Sequence, residues 1–341
     1  MTATLSRIWP QVTAAATQLG ALRVGGAPID PRSTEVFERW LSRGHHASMT
    51  YLAKNAAVRR DPGQRFPWAK SVLVILVPYE SERQGPPGSL AAGIARYALG
   101  EDYHIVIDSL LKDLEIEVLE LAPGTQTRRY VDTGPLSDRS YAATAGLGWI
   151  GRNGMLIEPD LGSYVFIGTL LTSLPFDLVS EEITDRCGSC TRCVDACPTT
   201  AINSDRTVDS ARCISYATIE HRGPLPADVR DHLGDNLFGC DICQEVCPWN
   251  QAPAESHPAF RLRESYRNRP VSDLLSLSQP EFSTLFARSA VKRAKRSGMI
   301  RNALTIANGT VPPPALLDEE DEGIRDALSR RPLVKSRPAS D

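Results

Sequence analysis

The chain has 341 residues, of which 42% are hydrophobic and 23% charged, and its formal net charge is −3. That is enough for two or three domains with a sizeable core, and it excludes wholesale disorder. It also excludes a global basic field that would draw the whole molecule onto nucleic acid. The N-terminus lacks the basic-then-apolar layout of a signal peptide, and the most apolar run, Val72 to Val77, is far too short to span a bilayer. The expectation is a cytoplasmic protein without a membrane partner.

In chain order, residues 4–19 and 33–55 have helical character. Residues 71–77 (SVLVILV) form a β-branched run of strand length, expected to be buried on both faces. Residues 103–121 read as an amphipathic helix, with Ile107, Leu110, Leu111 and Leu114 at helical spacing. A short strand end is expected at 129–131, a helix at 137–145 starting near Ser137 or Asp138, and a further strand at 164–171. These elements make residues 1–180 an α/β domain. A cysteine segment follows at 181–255. The last part, 256–341, is a short helical region that is basic at first: between Arg261 and Arg301 it carries ten Arg or Lys and three Asp or Glu, a net +7. It ends in the acidic run Asp318 to Glu322 and a flexible tail.

All eight cysteines lie between Cys187 and Cys247. A disulfide framework staples a whole small secreted domain, so thiols crowded into one segment of a large chain read as metal ligands. Cys187-x2-Cys190-x2-Cys193-x3-Cys197-Pro198 is the bacterial ferredoxin run, and Cys213 with Cys240-x2-Cys243-x3-Cys247-Pro248 supplies the second set. Three closely spaced cysteines wrap one cube, and the cysteine before the proline serves the other cluster. Cluster one therefore takes Cys187, Cys190, Cys193 and Cys247. Cluster two takes Cys197, Cys240, Cys243 and, as its fourth ligand, Cys213. Zinc is the competing reading, but a third cysteine at the same short spacing and the Cys-Pro endings fit it poorly.

Two motifs mislead. Gly146-Leu147-Gly148-Trp149-Ile150-Gly151 matches GxGxxG, yet it follows a helical stretch rather than a strand, and no acidic residue stands about twenty positions on. It reads as a turn, not a nicotinamide site. Asp102-Tyr103-His104 has the start of a cobalt-ligating loop, but position 107 is Ile where that loop needs glycine. His104 reads as a capping or surface residue.

Longer stretches carry a resemblance. These are Arg96-Tyr97 with 100–104, Val131-Asp132-Thr133-Gly134-Pro135, and 145–151 with Asn153. They continue through the first cysteine run, Arg212-Cys213-Ile214-Ser215-Tyr216 with Thr218-Ile219-Glu220, and 239–250. The last is Arg293-Ala294-Lys295-Arg296 with Arg301-Asn302-Ala303-Leu304. Over roughly residues 20–308 the chain resembles the epoxyqueuosine reductases, iron–sulfur and cobalamin enzymes acting on tRNA. Arg152 stands where Lys is common in that family, and many members continue into a HEAT-like helical extension beyond the acidic run.

The resemblance implies an α/β cobalamin-binding N-terminal domain, a ferredoxin-like domain with two [4Fe–4S] clusters, and a short α-helical C-terminal part. It implies reduction of the epoxide of epoxyqueuosine to the alkene of queuosine at the tRNA wobble position. An external electron donor feeds the two clusters and cobalamin in a monomeric protein. Asp132 matches the proton donor, a role that needs a carboxyl whose pKa is raised in an apolar site. Arg59, Ala95, Asp132, Arg139, Asn153, Leu156, Ile167, Ser215 and Asp241 match cobalamin contacts. Arg222 matches an RNA contact, and Lys292, Arg293, Lys295, Arg296 and Arg301 are further candidates for phosphate contact. The rival readings are another corrinoid iron–sulfur reductase, such as a reductive dehalogenase, and a non-catalytic electron carrier.

Overall fold

The structure is a computed structural model and describes residues 4–29, 35–79, 85–178, 181–251, 255–307 and 310–331. Its N-terminal part is built on a four-stranded sheet of order β1-β2-β6-β3, with β1 Arg23–Pro28, β2 Ser71–Pro78, β3 Thr127–Tyr130 and β6 Val165–Thr172. A separate two-stranded ribbon pairs β4 Trp149–Ile150 with β5 Leu156–Ile157. Every strand pair of the main sheet is antiparallel. The α/β domain is thus an antiparallel sheet with helices on both faces, not a set of parallel crossovers.

β2 is central, and all eight of its residues are buried. Successive side chains point to opposite faces. Leu73, Ile75 and Val77 pack with α1 (Trp9–Gln18) and α6 (Tyr103–Leu121), while Val72, Val74 and Leu76 pack with α7 (Asp138–Thr144). α6 buries Ile107, Leu111, Leu114 and Val118, one stripe at helical spacing. The Asp102 side chain caps it by accepting from the His104 N–H at 3.1 Å, and it also contacts His104 Nδ1, so His104 belongs to the helix start.

β1 escaped sequence reading because RVGGAP has one strand-forming side chain, Val24, beside two glycines and a proline. A Cβ on Gly25 would stand 2.7 Å from the Ala145 carbonyl, and one on Gly26 2.6 Å from the Phe176 ring. Only glycine lets this strand lie so close to its neighbours. The helix expected over 33–55 is instead α2 (Glu35–Ser42) and α3 (Thr50–Lys54), followed by α4 (Ala56–Arg60). The break falls where Gly44 and Ala47 take φ of 71° and 50°. Residues 33 and 34 of that expectation lie outside the described residues. The GxGxxG stretch follows α7 as a turn leading into β4, and a Cβ on Gly148 would meet the Ile157 carbonyl at 2.3 Å.

α5 (Leu90–Gly93) follows β2 in the chain. The cysteine segment contributes α8 (Arg192–Asp195), α9 (Ile214–Ile219), α10 (Ala227–Asp231) and α11 (Ile242–Glu245). The C-terminal part adds α12 (Glu264–Arg267), α13 (Gln279–Leu285), α14 (Lys295–Ile306) and α15 (Glu322–Ser329). One apolar core joins Leu90, Ile94 and Leu99 to Leu237 and Phe238 and to residues from Leu262 to Ile324. The cores therefore cut across the divisions at 180 and 255. The acidic run does not begin a flexible tail: Asp321 caps α15, whose Gly323, Ile324 and Ala327 are buried. Residues 332–341 lie outside the described part.

Candidate active site and thiol clusters

No cysteine is in a disulfide. Among the described residues no three His, Cys, Asp or Glu side chains gather tightly enough to hold a single metal ion. The thiols form two looser groups. Burial pushes the Cys247 thiol up, and Cys187 and Cys190 add to that shift. Cys193 is raised by burial and then by Cys247 and Cys187. In the other group burial raises Cys213, with Cys197 close by, and pushes Cys240 up to about 12 beside Cys213 and Cys197. Cys243 is raised by burial and then by Cys240 and Cys213. Cys193 also acts on Cys243, where the groups meet.

Five thiols that burial alone would keep protonated, those of Cys193, Cys213, Cys240, Cys243 and Cys247, suit a group that binds thiolate and relieves that cost. Donors to sulfur are in place as well. The Ala201 N–H points at Cys197 Sγ (3.3 Å), and Trp149 Nε1 at Cys187 Sγ (3.5 Å). Such contacts tune cluster potentials.

Asp132 sits on the loop between β3 and α7 with φ of 57°, in the left-handed region that an Asp rarely adopts. Its carboxylate is exposed, and Oδ2 accepts from Tyr103 Oη at 2.8 Å. Tyr103 stacks on Phe166 of β6 with ring centroids 4.5 Å apart, which fixes the phenol. Burial first, and then the Asp132 charge, raise the Tyr103 pKa far above the phenol range, so the hydroxyl stays a donor. Tyr97 is similar: burial raises it, followed by Asp132 and then Asp241. Its ring centre lies 6.1 Å from that of Tyr103, which holds Asp132, and 6.0 Å from that of Phe238, two residues before Cys240.

The other matched positions fall into two sets. Near Asp132, Arg59 donates to the Leu136 carbonyl, and its buried Nε finds no acceptor among the described residues. Burial lowers the Arg59 pKa against the pull of Asp138 and Asp132. Arg139 is exposed and donates to the Gly154 carbonyl. Leu156 is buried, and Ile167 packs against the same core. Beside the thiols, the Ala95 N–H donates to the Phe238 carbonyl, and Asn153 is buried with Oδ1 accepting from the Met155 N–H. Asp241 is 1% exposed and accepts from the Arg96 backbone N–H at 2.8 Å and its guanidinium at 3.3 Å. Ser215 follows Cys213 on α9. The unmatched donor of Arg59, the apolar Leu156 and Ile167, and the exposed carboxyl of Asp132 fit a broad, amide-bearing ring system.

The basic stretch needs correction. Arg301 is 2% exposed and donates to the carbonyls of Ala217 (2.8 Å), His221 (3.0 Å) and Gly223 (2.9 Å), and burial lowers its pKa to about 10. It is an interior clamp and cannot meet a phosphate. Asn302 beside it donates to the carbonyls of Thr218 and Leu237, both at 2.9 Å. Arg296 is turned inward to Glu319 and the Leu277 carbonyl. Arg263 and Arg288 both pair with Glu101, so the linear +7 is partly spent on acids elsewhere. Arg222, Lys292, Arg293 and Lys295 remain exposed, and Arg293 pairs with Glu220 while lying 5.7 Å from the ring centre of Tyr51.

Sequence reasoning assigned no role to Tyr97, Tyr103 or Asp138. The two tyrosines did lie inside motifs of the resemblance, which was the signal available.

A family model described as "4Fe-4S double cluster binding domain" matches residues 186–250, and one described as "Epoxyqueuosine reductase QueG" matches residues 59–133. The epoxyqueuosine reductase of Cyclobacterium marinum is 38% identical over 272 residues, covering 80% of this chain and 87% of the relative. That of Gloeobacter violaceus is 38% identical over 302 residues, covering 86% and 93%. An epoxyqueuosine reductase solved with an epoxyqueuosine-modified tRNA-Tyr stem loop superposes with a TM-score of 0.82 at 30% identity, covering 95% of this chain and 88% of that one. The Bacillus subtilis enzyme, solved with an aspartate-bearing catalytic loop swung out of its active site, superposes at 0.84 with 29% identity over 95% and 89%. With these identities over most of both chains, this protein belongs to the epoxyqueuosine reductase family.

Proposed function

We propose that the chain reduces the epoxide of epoxyqueuosine in tRNA to the alkene of queuosine. It is an oxidoreductase whose cofactors are two [4Fe–4S] clusters and cobalamin. The reading that carries the mechanism rests on one observation: the half-buried Tyr97 ring packs between Tyr103, which holds Asp132, and Phe238, two residues before Cys240, so the acid loop and the inner thiol group share one wall. Cys187, Cys190, Cys193 and Cys247 hold the outer cluster, and Cys197, Cys213, Cys240 and Cys243 the inner one. Electrons from an external donor enter at the outer group, whose surroundings are exposed.

Cobalamin, when bound, would supply a strongly reducing, nucleophilic cobalt centre for the epoxide. The residues proposed to hold it are Arg59, Ala95, Asp132, Arg139, Asn153, Leu156, Ile167, Ser215 and Asp241. Asp132 places a proton on the epoxide oxygen, which otherwise departs as a poor alkoxide leaving group. Tyr103 fixes that carboxyl through its 2.8 Å hydrogen bond. The left-handed backbone at Asp132 and its exposure suit a loop that moves between positions, as in the Bacillus subtilis relative. Arg222, Lys292, Arg293 and Lys295 contact the phosphates of the anticodon arm. The protein works as a monomer in the cytoplasm.

The test uses anaerobically purified protein with reconstituted clusters, cobalamin, a chemical reductant and tRNA carrying epoxyqueuosine. Nucleoside masses after digestion report the product. Queuosine that forms only with both protein and cobalamin present is the expected result. Absence of conversion, with both clusters and cobalamin bound, would sink the proposal.

A further inference from the structure

The loop of an RNA hairpin is held in two ways. Cations take its phosphates, and aromatic rings or guanidinium planes stack on its splayed, unpaired bases. Arg222, Lys292, Arg293 and Lys295 offer the first kind of contact but no aromatic face.

Among the described residues, one aromatic side chain of the Phe, Trp and Tyr class is exposed: Tyr51 on α3, at 43%. A single exposed ring is ordinary by itself. The surroundings of this one are built. The Arg293 guanidinium lies over the ring, 5.7 Å from its centre. Arg293 is itself held in place. Its Nε and Nη2 donate to the two Glu220 carboxylate oxygens at 2.8 and 2.9 Å, and its carbonyl accepts from Arg222 Nη2 at 2.8 Å. Two exposed cations and one ring are thus joined in a single surface feature.

The segment that carries Tyr51 is tied to the reaction site on both sides. Before it, the Ser48 N–H donates to Tyr216 Oη at 3.1 Å, and Ser48 Oγ lies 2.6 Å from the same oxygen. Tyr216 is on α9, the helix that follows Cys213 and ends at the Glu220 that grips Arg293. After it, Arg59 on α4 donates to the carbonyl of Leu136, on the loop that carries Asp132. The ring therefore stands on a bridge between the inner-thiol helix and the acid loop. Lys54 is exposed on the same short helix, and Lys292 is exposed next to Arg293.

We propose that Tyr51 is a stacking platform for an unpaired base of the anticodon loop that flanks the modified nucleotide, with Arg293 supporting the ring. The inference rests on the function proposed above and deepens it. A base-paired stem would offer phosphates to these cations but no base face to the ring. The modified base itself must reach Asp132, which leaves its neighbour for a ring on the surface. Tyr51 binds the substrate and takes no part in the chemistry.

The test measures binding of an epoxyqueuosine-containing tRNA stem loop to the fully loaded protein without reductant, so that no turnover occurs. Tyr51→Ala binds about five- to 150-fold more weakly, the range for one base stacked on an aromatic ring. Its salt dependence keeps the slope of the unaltered protein, because no phosphate contact is lost, whereas Lys292→Ala flattens that slope. Tyr51→Phe keeps the ring and stays within about twofold. Stem loops made abasic on either side of the modified nucleotide complete the comparison. One of them weakens the unaltered protein as much as Tyr51→Ala does, and weakens Tyr51→Ala no further. Iron content and thermal melts accompany each variant. If Tyr51→Ala melts early, the abasic stem loops decide on the unaltered protein and Tyr51→Phe, which must both lose affinity for the same one. Unchanged affinity in Tyr51→Ala, an equal loss in Tyr51→Phe, a flattened salt slope in Tyr51→Ala, or abasic penalties that add to its loss would overturn the inference while leaving the function intact. Failure of the unaltered protein to convert the stem loop once reductant is added overturns the functional reading and this inference with it.

Discussion

Around Cys187, Cys190 and Cys193 the flanking residues 185–186, 188–189 and 191–192 are exposed, whereas around Cys240 and Cys243 residues 236–239, 241 and 244 are buried. The two halves share a spacing, and each places its third cysteine on a four-residue helix, α8 or α11. Their supports differ in kind. The outer half is held by surface groups: Arg206 pairs with Asp185 and donates to the Ile150 carbonyl, Asp185 accepts from the Cys187 N–H, and Arg152 reaches the Gly188 carbonyl. The inner half is held by interior groups: Arg301 and Asn302 clamp α9 and the Leu237 carbonyl, the Thr218 hydroxyl accepts from the Gly239 N–H, and Arg96 grips Asp241. One ligand pattern can thus serve a wet cluster and a dry one, and exposure is among the factors that set reduction potential.

The strongest way to break this contrast is to remove one thiol from each half. Cys190→Ala and Cys243→Ala are each expected to cost half of the iron and all turnover. Only Cys243→Ala should also lower the unfolding midpoint sharply, because its sulfur lies in the interior. Iron analysis beside thermal melts checks this, and equal melts would mean that the halves are equally buried in solution.

Asp132→Asn separates proton supply from electron supply. We expect turnover to fall by roughly 10²–10⁴ while iron content and both cluster signals in electron paramagnetic resonance stay unchanged. Loss of the inner cluster signal would instead assign Asp132 a structural role toward that half.

The supports themselves come next. Arg301→Ala leaves three carbonyls without their donor and should cost on the order of 3 kcal/mol in a denaturant melt. Arg206→Ala removes a surface pair and should stay within about 1 kcal/mol. Similar losses would erase the distinction between the two halves.

A last effect, confined to pH dependence, lies outside both halves and serves as their control. Burial, with the Asp132 charge next, pushes the Asp138 carboxyl up to about 7 in the folded chain, against an ordinary carboxyl value near 4 when unfolded. Between those values the folded state keeps a proton that the unfolded state has lost. Its stabilising contribution is complete below about pH 4 and is lost as pH rises through about 7. Asp138→Asn should remove that slope, melting later than the unaltered protein at about pH 8 but not at about pH 4. Parallel melting curves for the two proteins would contradict this.

The legible parts of the molecule were local. β2 and α6 announced themselves through period and length, and the eight thiols through spacing alone. β1 was hidden because close approach, not side-chain chemistry, selected its glycines. The helix over 33–55 was read through a break that depends on the left-handed backbone at Ala47, which no residue type signals.

What the sequence by itself determined was the cysteine pattern, the family motifs and the position of Asp132, because residue spacing and motif order are properties of neighbouring residues. Only the tertiary structure decided which charges face solvent. Arg301 and Lys292 stand nine positions apart in one basic stretch, yet Arg301 is buried against Ala217, 84 residues away, while Lys292 stays exposed. It alone set Tyr103 against Asp132 across 29 residues and Asp138 against Thr169 across 31. Burial and pairing are set by which distant segments pack together, and a count of charges along the chain carries no record of that.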